Sequence, residues 1–358
     1  MTGVQTCALP ICDSGVYSLA LDKRGHVYGF GWGKGEIIGT TTSVPYDISG
    51  WNQHLSGVGI KALFNDISGR YAGALRADGR LILWGEDGSS LRGTGKSSGN
   101  GISSAIALDN ILNAELGGYV SIAMRSNGDV YTWGSNTYYV VGNGNSSEVR
   151  SPVKIESYSA HDAADGSGKV YPVDVGMGYY GSYVLMSDDS AMSTGHSSYG
   201  EYLGQGAGAS SGKPGKVKAG KSSASAGDFT DAIGIGRFGS TGAPVYLIKD
   251  NGTVWTFGRN SYNQFGNGMP TSAKADEPVR VGMSHLAADK YLYSVNKGDK
   301  VTIAAPGKDS FNLFDIKAAS GGAAKYNWQT YRGKDSADGT LSEDDIISVN
   351  LLRSEERR

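Results

Sequence analysis

SIAMRSNGDVYTWGSNTYYVVGNG, residues 121–144, holds the pattern that decides the fold. A short apolar run, SIAM, meets the dipeptide Asn127-Gly128, and a second run, VYTW, ends on Trp133-Gly134. Asn-Gly between two such runs predicts a β-hairpin with a type I′ turn, because both residues accept positive φ. A Gly-x-Gly pair at Gly142 and Gly144 then closes a loop.

The same unit recurs along the chain, as RGHVYGFG (24–31), DGRLILWG (78–85), NGTVWTFG (251–258) and, more weakly, DDSAMSTG (188–195). The turn anchors are Gly25, Gly79, Gly128, Asp189 and Gly252, 49 to 63 residues apart. Each unit ends on an aromatic-Gly pair: Phe30-Gly31, Trp84-Gly85, Trp133-Gly134 and Phe257-Gly258, with Thr194-Gly195 in the weak copy. A loop-closing glycine follows at Gly39, Gly93, Gly142, Gly204 and Gly266, and strand starts are expected at Pro152-Val153 and Pro278-Val279. A lone hairpin cannot bury two apolar faces. Radial stacking of small four-stranded sheets covers both and leaves short edges. The units are too long for an ordinary solenoid, so the expected class is all-β, with one propeller blade per unit.

Composition agrees. The 358 residues include 55 Gly, 9 Pro and 21 Tyr, which suits many short strands and tight turns better than long helices. A formal net charge of −2 argues against wholesale binding of nucleic acid or anionic membrane. No apolar run reaches the ~18 residues of a membrane helix.

Residues 121–144, and IKDNGTVWTFGRNSYNQFGNG (248–268) above all, resemble the regulator-of-chromosome-condensation repeat family. The likeness extends over five copies, residues 13–285. It implies a seven-bladed β-propeller, of which five blades are present here, and thus an open arc or a strained closure. It also implies a binding or regulatory role, including exchange on a small GTPase and, in some bacterial members, inhibition of secreted enzymes.

The two ends have another character. TGVQTCALPI (2–11) back-translates to a common sequencing-library adapter and RSEERR (353–358) to its counterpart, so 1–12 and 353–358 are set aside. They hold the two cysteines, Cys7 and Cys12, whose spacing fits no redox or zinc motif. Residues 286–352 resemble a bacterial immunoglobulin-like module, a partial β-sandwich with Trp328 in the core-Trp role. That resemblance implies a secreted or surface-displayed bacterial protein.

No catalytic, cofactor or metal site is expected. His26, His54, His161, His196 and His285 are scattered. GIGRFG (234–239) precedes a strand where each unit carries glycine, and it opens no helix. Asp188-Asp189 reads as turn chemistry, and 335–345 lacks a calcium-loop register. Two surface features remain. Tyr138, Tyr199 and Tyr262 stand four residues past the aromatic-Gly pair on equivalent loops, as a binding rim or as packing. Lys213, Lys216, Lys218 and Lys221 lie in a Gly/Ser-rich loop that either meets an anionic partner or is merely solvated. The expectation is a non-catalytic scaffold for a protein or cell-surface ligand, without cofactor or membrane span.

Overall fold

The structure is a computed structural model that describes residues 11–13, 16–32, 37–49, 55, 59–66, 68–96, 100–105, 108–163, 165–166, 168–196, 202–206, 212–220, 227–236, 244–250 and 253–281, together with the short strands of the C-terminal unit. Its first compact unit ends at Val281. That unit contains five four-stranded sheets, each an antiparallel meander in chain order. The first blade is β1 (Ile11–Asp13), β2 (Tyr17–Leu21), β3 (Val27–Gly31) and β4 (Thr42–Asp47). The second is β5 (Ile60–Asn65), β6 (Tyr71–Arg76), β7 (Leu81–Glu86) and β8 (Asn100–Ala105). The third is β9 (Ile111–Leu116), β10 (Val120–Arg125), β11 (Val130–Gly134) and β12 (Val149–Lys154). A small ribbon, β13 (His161–Asp162) with β14 (Lys169–Val170), precedes the fourth blade. That blade is β15 (Pro172–Met177), β16 (Gly181–Met186), β17 (Ala191–Gly195) and β18 (Gly215–Lys216). The fifth is β19 (Ala232–Ile235), β20 (Val245–Lys249), β21 (Val254–Arg259) and β22 (Lys274–Arg280).

Every described anchor sits at the bend between the second and third strands of its blade, with Gly252 outside the described residues. The turn type differs from expectation. Gly25, Gly79, Gly128 and Asp189 have φ of 84°, 83°, 85° and 61°, while the residues before them are not left-handed. Gly128 N–H donates to Arg125 C=O, and Arg125 N–H to Asp129 C=O. This is a type I turn followed by one left-handed residue, the second standard hairpin solution. It needs positive φ only at the anchor, so Asp189 can replace glycine there at moderate strain. Pro152 and Pro278 fall within the outer strands β12 and β22, where an edge tolerates the missing donor.

Packing follows the pleat. The second strands begin their shared register at Ser18, Ala72, Ser121, Ser182 and Val245, each opposite the motif residue of the third strand. Alternate side chains from that start face the preceding blade, and those between them face the following one. Among the described residues, four core clusters result, each joining consecutive blades. None joins the fifth blade to the first. Exposure tells the same story. Leu21, Leu75, Met124 and Leu185 are buried, whereas Ile248 at the equivalent place is 40% exposed. Ala74, Ala123, Val184 and Leu247 are buried, while Ala20 is only half-buried. Phe30 is half-buried, although Trp84, Trp133 and Phe257 have no exposed surface. The two outer faces of the arc thus lack a described neighbour, as an open arc requires.

The joints themselves are specific. Trp133 Nε1–H donates to Leu91 C=O in the preceding blade at 2.9 Å, and Trp84 Nε1–H to Ile37 C=O at 3.0 Å. Leu91 C=O also accepts Ser121 Oγ–H at 3.1 Å. Two residues beyond Leu91, a Cβ on Gly93 would lie 2.9 Å from Trp133 Nε1, so this left-handed position admits only glycine. Where Thr194 replaces the aromatic, Ser182 Oγ–H takes over, donating to Val140 C=O at 2.7 Å. The last joint is apolar, with Gly204 lying against the Phe257 ring.

The second unit spans Gly282–Arg358. In it β23 (Ser294–Val295) pairs parallel with β24 (Lys317–Ala318), and β25 (Ala324–Tyr326) pairs antiparallel with β26 (Leu351–Arg353). The rest of 286–352, including Trp328, lies outside the described residues. So do 1–10 with Cys7 and 354–358, while Ile11 and Cys12 contribute backbone to β1.

The open arc sets a stability contrast. Leu75→Ala should cost about 2–5 kcal/mol, and Ile248→Ala, at the same register position, under about 1 kcal/mol. Urea denaturation of both variants checks this; equal losses would mean that the fifth blade has a covered face.

Candidate binding face

In the second, third and fifth blades the loop between third and fourth strands is built by a buried Asx residue two positions past the motif glycine. Asn136, 1% exposed, accepts Val141 N–H at 2.9 Å through Oδ1. Its Nδ2–H₂ donates to Asn143 Oδ1 at 2.9 Å and to Asn145 C=O at 2.6 Å. Asn260 repeats this, accepting Phe265 N–H at 2.9 Å and donating to Met269 and Pro270 C=O at 2.8 and 3.0 Å. In the second blade Asp87 accepts Arg92 N–H and Thr94 Oγ1–H at 2.9 and 2.7 Å. One buried side chain therefore fixes each of these three loops, and with it the residues displayed between Asn136 and Val141.

At that end of the blades the aromatic side chains converge. Tyr138 meets Tyr180 edge-to-face at a ring separation of 5.0 Å, Tyr119 at 6.2 Å and His196 at 5.8 Å. Tyr179 packs on Tyr119 at 5.1 Å and on Tyr180 at 4.8 Å. Tyr179 Oη–H donates to Tyr119 Oη at 3.0 Å. Tyr180 continues to Tyr202 at 5.4 Å. A guanidinium stands at each end: Arg70 lies 4.9 Å over Tyr119, and Arg259 lies 5.8 Å over Tyr202. The rings come from loops of the third and fourth blades, while Arg70 precedes β6 in the second and Arg259 ends β21 in the fifth. Tyr119, Tyr138, Tyr139, Tyr179, Tyr180 and His196 are all half-buried, so part of each remains open to a partner.

Of the expected rim, Tyr138 belongs to this track. Tyr199 lies outside the described residues. Tyr262 is 81% exposed and stands apart from it. Tyr138 and Tyr262 therefore differ in setting, one half-buried among rings and the other exposed. What decides membership is the residue ahead of each second strand, Arg70, Tyr119, Tyr180 or Pro244, which the motif spacing does not report. His196 and Tyr179 were likewise visible only once the blades were assembled.

Two of the four lysines face acids. Lys216, in β18, faces Asp188 at 3.7 Å, and Lys218 pairs with Asp228 at 3.0 Å. Lys213 is exposed, and Lys221 lies outside the described residues. Residues 212–220 are held by β18 and by a bridge from Lys218 to Asp228, so this part is ordered chain and not a free linker. An open groove of about 420 Å³ is lined by Lys216, Met186, Met192, Val170, Asp188 and His161 among others. Asp188 accepts Ser190 N–H and Oγ–H at 3.1 and 2.6 Å, which confirms its turn role. His26 faces Asp47 at 3.2 Å, His161 Nδ1 sits 2.8 Å from Ser159 C=O, and His54 and His285 lie outside the described residues. Among the described residues no cluster of His, Cys, Asp and Glu could hold a metal. Gly234 lies inside β19, which leads to β20, while 237–243 lie outside the described residues.

Comparison with known proteins places this architecture. Residues 127–185 match the regulator of chromosome condensation (RCC1) repeat. Human E3 ubiquitin-protein ligase HERC2 is 24% identical over 265 residues, which cover 73% of this chain and 5% of that protein. The mitochondrial RCC1 domain-containing protein RUG3 of Arabidopsis thaliana is 24% identical over 272 residues, covering 72% of this chain and 55% of that one. The chain thus spans between a twentieth and little more than half of these relatives. Among solved structures, Saccharomyces cerevisiae Prp20p superposes with a TM-score of 0.57 at 15% identity, covering 76% of this chain and 62% of that one. Human WBSCR16 gives a TM-score of 0.57 at 14% identity, with coverage of 74% and 64%. Residues 127–185 thus match the RCC1 repeat, and the chain shares the β-propeller fold of these structures.

The track also fixes an alkaline signature. Burial, then the hydrogen bond with Tyr119 and the neighbouring phenols, raise the Tyr179 hydroxyl above the ordinary value of 10.0. The folded state therefore favours the neutral phenol, and the stability this contributes is lost as pH rises past 10.0. At about pH 10.5, native wild type and Tyr179→Phe should show the same phenolate absorbance, and in denaturant they should differ by the roughly three-quarters of one tyrosine that is ionised at that pH. A difference of that size in the native state would contradict the packing described.

Proposed function

We propose that the chain is a non-catalytic protein-binding scaffold whose interaction surface is the tyrosine track. The observation that carries this reading is the continuity of half-buried aromatic side chains across loops of the third and fourth blades, flanked by Arg70 of the second and Arg259 of the fifth. Tyrosine and arginine supply large contact area and directional donors at low conformational cost, and they dominate binding hot spots. The repeat family supports a scaffold role of this kind. A secreted or surface-displayed bacterial setting is part of the proposal; its support is the resemblance of residues 286–352 to bacterial immunoglobulin-like modules.

A regulator of a small GTPase is the second reading. It is favoured by the likeness to Prp20p, whose structure is described with its binding to Gsp1p and histones.

The experiment is affinity capture on immobilised protein, with the bound proteins identified for wild type, Tyr138→Ala/Tyr180→Ala and Tyr262→Ala. The double variant should lose a specific partner by at least about tenfold, roughly 1.4 kcal/mol, while Tyr262→Ala keeps it. Undiminished capture by the double variant would remove the tyrosine track from the binding surface. A GTPase among the proteins lost would select the second reading.

A further inference from the structure

Two methionines of the fourth blade share one face. Val184 of β16 lies opposite Met192 of β17, and Met186 follows Val184 by two residues, so it points to the same side. Met186 and Met192 are thus diagonal neighbours across the hairpin, a separation that long side chains span. Both pack in the core between the third and fourth blades, Met186 buried and Met192 half-buried. His161 and Val170 are paired directly across the β13–β14 ribbon, which puts their side chains on one side of it. All four residues line the same open groove.

The histidine is oriented as a metal ligand is. Its Nδ1 stands 2.8 Å from Ser159 C=O. A carbonyl only accepts, so Nδ1 carries the proton and Nε2 of the neutral ring keeps its lone pair. Metal-bound histidines almost always donate their other N–H to an acceptor of this kind. The acceptor is itself fixed. Ser159, fully buried, donates its N–H and its Oγ–H to Ile155 C=O at 3.1 and 2.9 Å, and its Oγ accepts Val130 N–H at 3.0 Å.

The carboxylates of the groove are already engaged. Asp188 accepts from Ser190 and faces Lys216 at 3.7 Å, and Glu156 pairs with Lys154 at 3.1 Å. The softer donors left to a ligand are two thioethers and one imidazole nitrogen, all uncharged. Thioethers select soft ions such as copper(I), whereas magnesium, calcium and manganese take oxygen donors. An uncharged donor set beside the Lys216 ammonium also suits one positive charge better than two.

We propose that Met186, Met192 and His161 form a binding site for copper(I). The ion joins the β16–β17 hairpin to the β13–β14 ribbon and so ties the fourth blade to the segment that leads into it.

The test is an anaerobic titration in which the full chain competes for copper(I) with bicinchoninate, a chelator whose copper complex is coloured. A Cys7→Ser/Cys12→Ser background removes the competing thiols. A single copper(I) should pass from the chelator to each chain. Met192→Leu, which keeps the side-chain volume, and His161→Gln should each weaken binding by at least about tenfold. Met269→Leu, in a loop of the fifth blade, should leave it unchanged. His161 is exposed, so His161→Gln tests the site even if Met192→Leu disturbs the core. Silver(I) should displace the copper, and an equal amount of zinc(II) should not. No transfer of copper(I), transfer unaltered by both Met192→Leu and His161→Gln, or displacement by zinc(II) as readily as by silver(I) would each overturn the proposal.

Discussion

The fold depends on a repeated joint in which the residue ahead of a third strand's closing glycine, an aromatic ring at Trp133 and Phe257 and the smaller Thr194 between them, rests on a glycine in the loop of the blade before it. At the joint between the second and third blades, Gly93 lies against Trp133 and Leu91 C=O accepts Trp133 Nε1–H. At the last joint, a Cβ on Gly204 would come within 3.0 Å of the Phe257 ring. A side chain at either glycine would push the blades apart and open the core behind them. The donors change from joint to joint: tryptophan and serine, then serine alone beside Thr194, then none beside Phe257. The glycine remains at each of these joints, so close approach is the constant and the hydrogen bond is an addition.

The joint also positions the binding face. The loop that presents Val140 C=O to the following blade is the one that carries Tyr138 and Tyr139. Asn136 ties the two ends of that loop together through Val141, Asn143 and Asn145. A buried structural contact and an open aromatic surface thus share one short segment, and the surface inherits the rigidity of the core. Blade ends at which the ring or the glycine has no described counterpart, Phe30 at one end and Gly266 at the other, show how much burial the joint supplies.

Much of this was legible in the sequence because the joint leaves a local imprint. Turn anchors, aromatic-Gly pairs and closing glycines stand at fixed spacing, so blade number and strand order could be read directly from residues 24 to 268. The turn type was misjudged, since Asn127-Gly128 suits two turn classes and only the hydrogen bond from Arg125 N–H to Asp129 C=O separates them. The tyrosine track was read only in part. Tyr138 follows the motif, but Tyr119 and Tyr179–Tyr180 belong to connections ahead of second strands in two different blades, and His196 to the end of a third strand. Their convergence is set by how the blades stack, which no spacing within one unit encodes. The charge of Lys216 and Lys218 gave no warning that Asp188 and Asp228 already hold them.

The central claim is most directly tested by a double-mutant cycle between Gly204→Ala and Phe257→Ala, read by denaturant unfolding. The contact between them implies coupling: the alanine should cost more opposite the phenylalanine than opposite a second alanine, by about 1 kcal/mol or more. Additivity within about 0.5 kcal/mol would mean that the ring does not rest on that glycine, and the account of how successive blades are joined would fail.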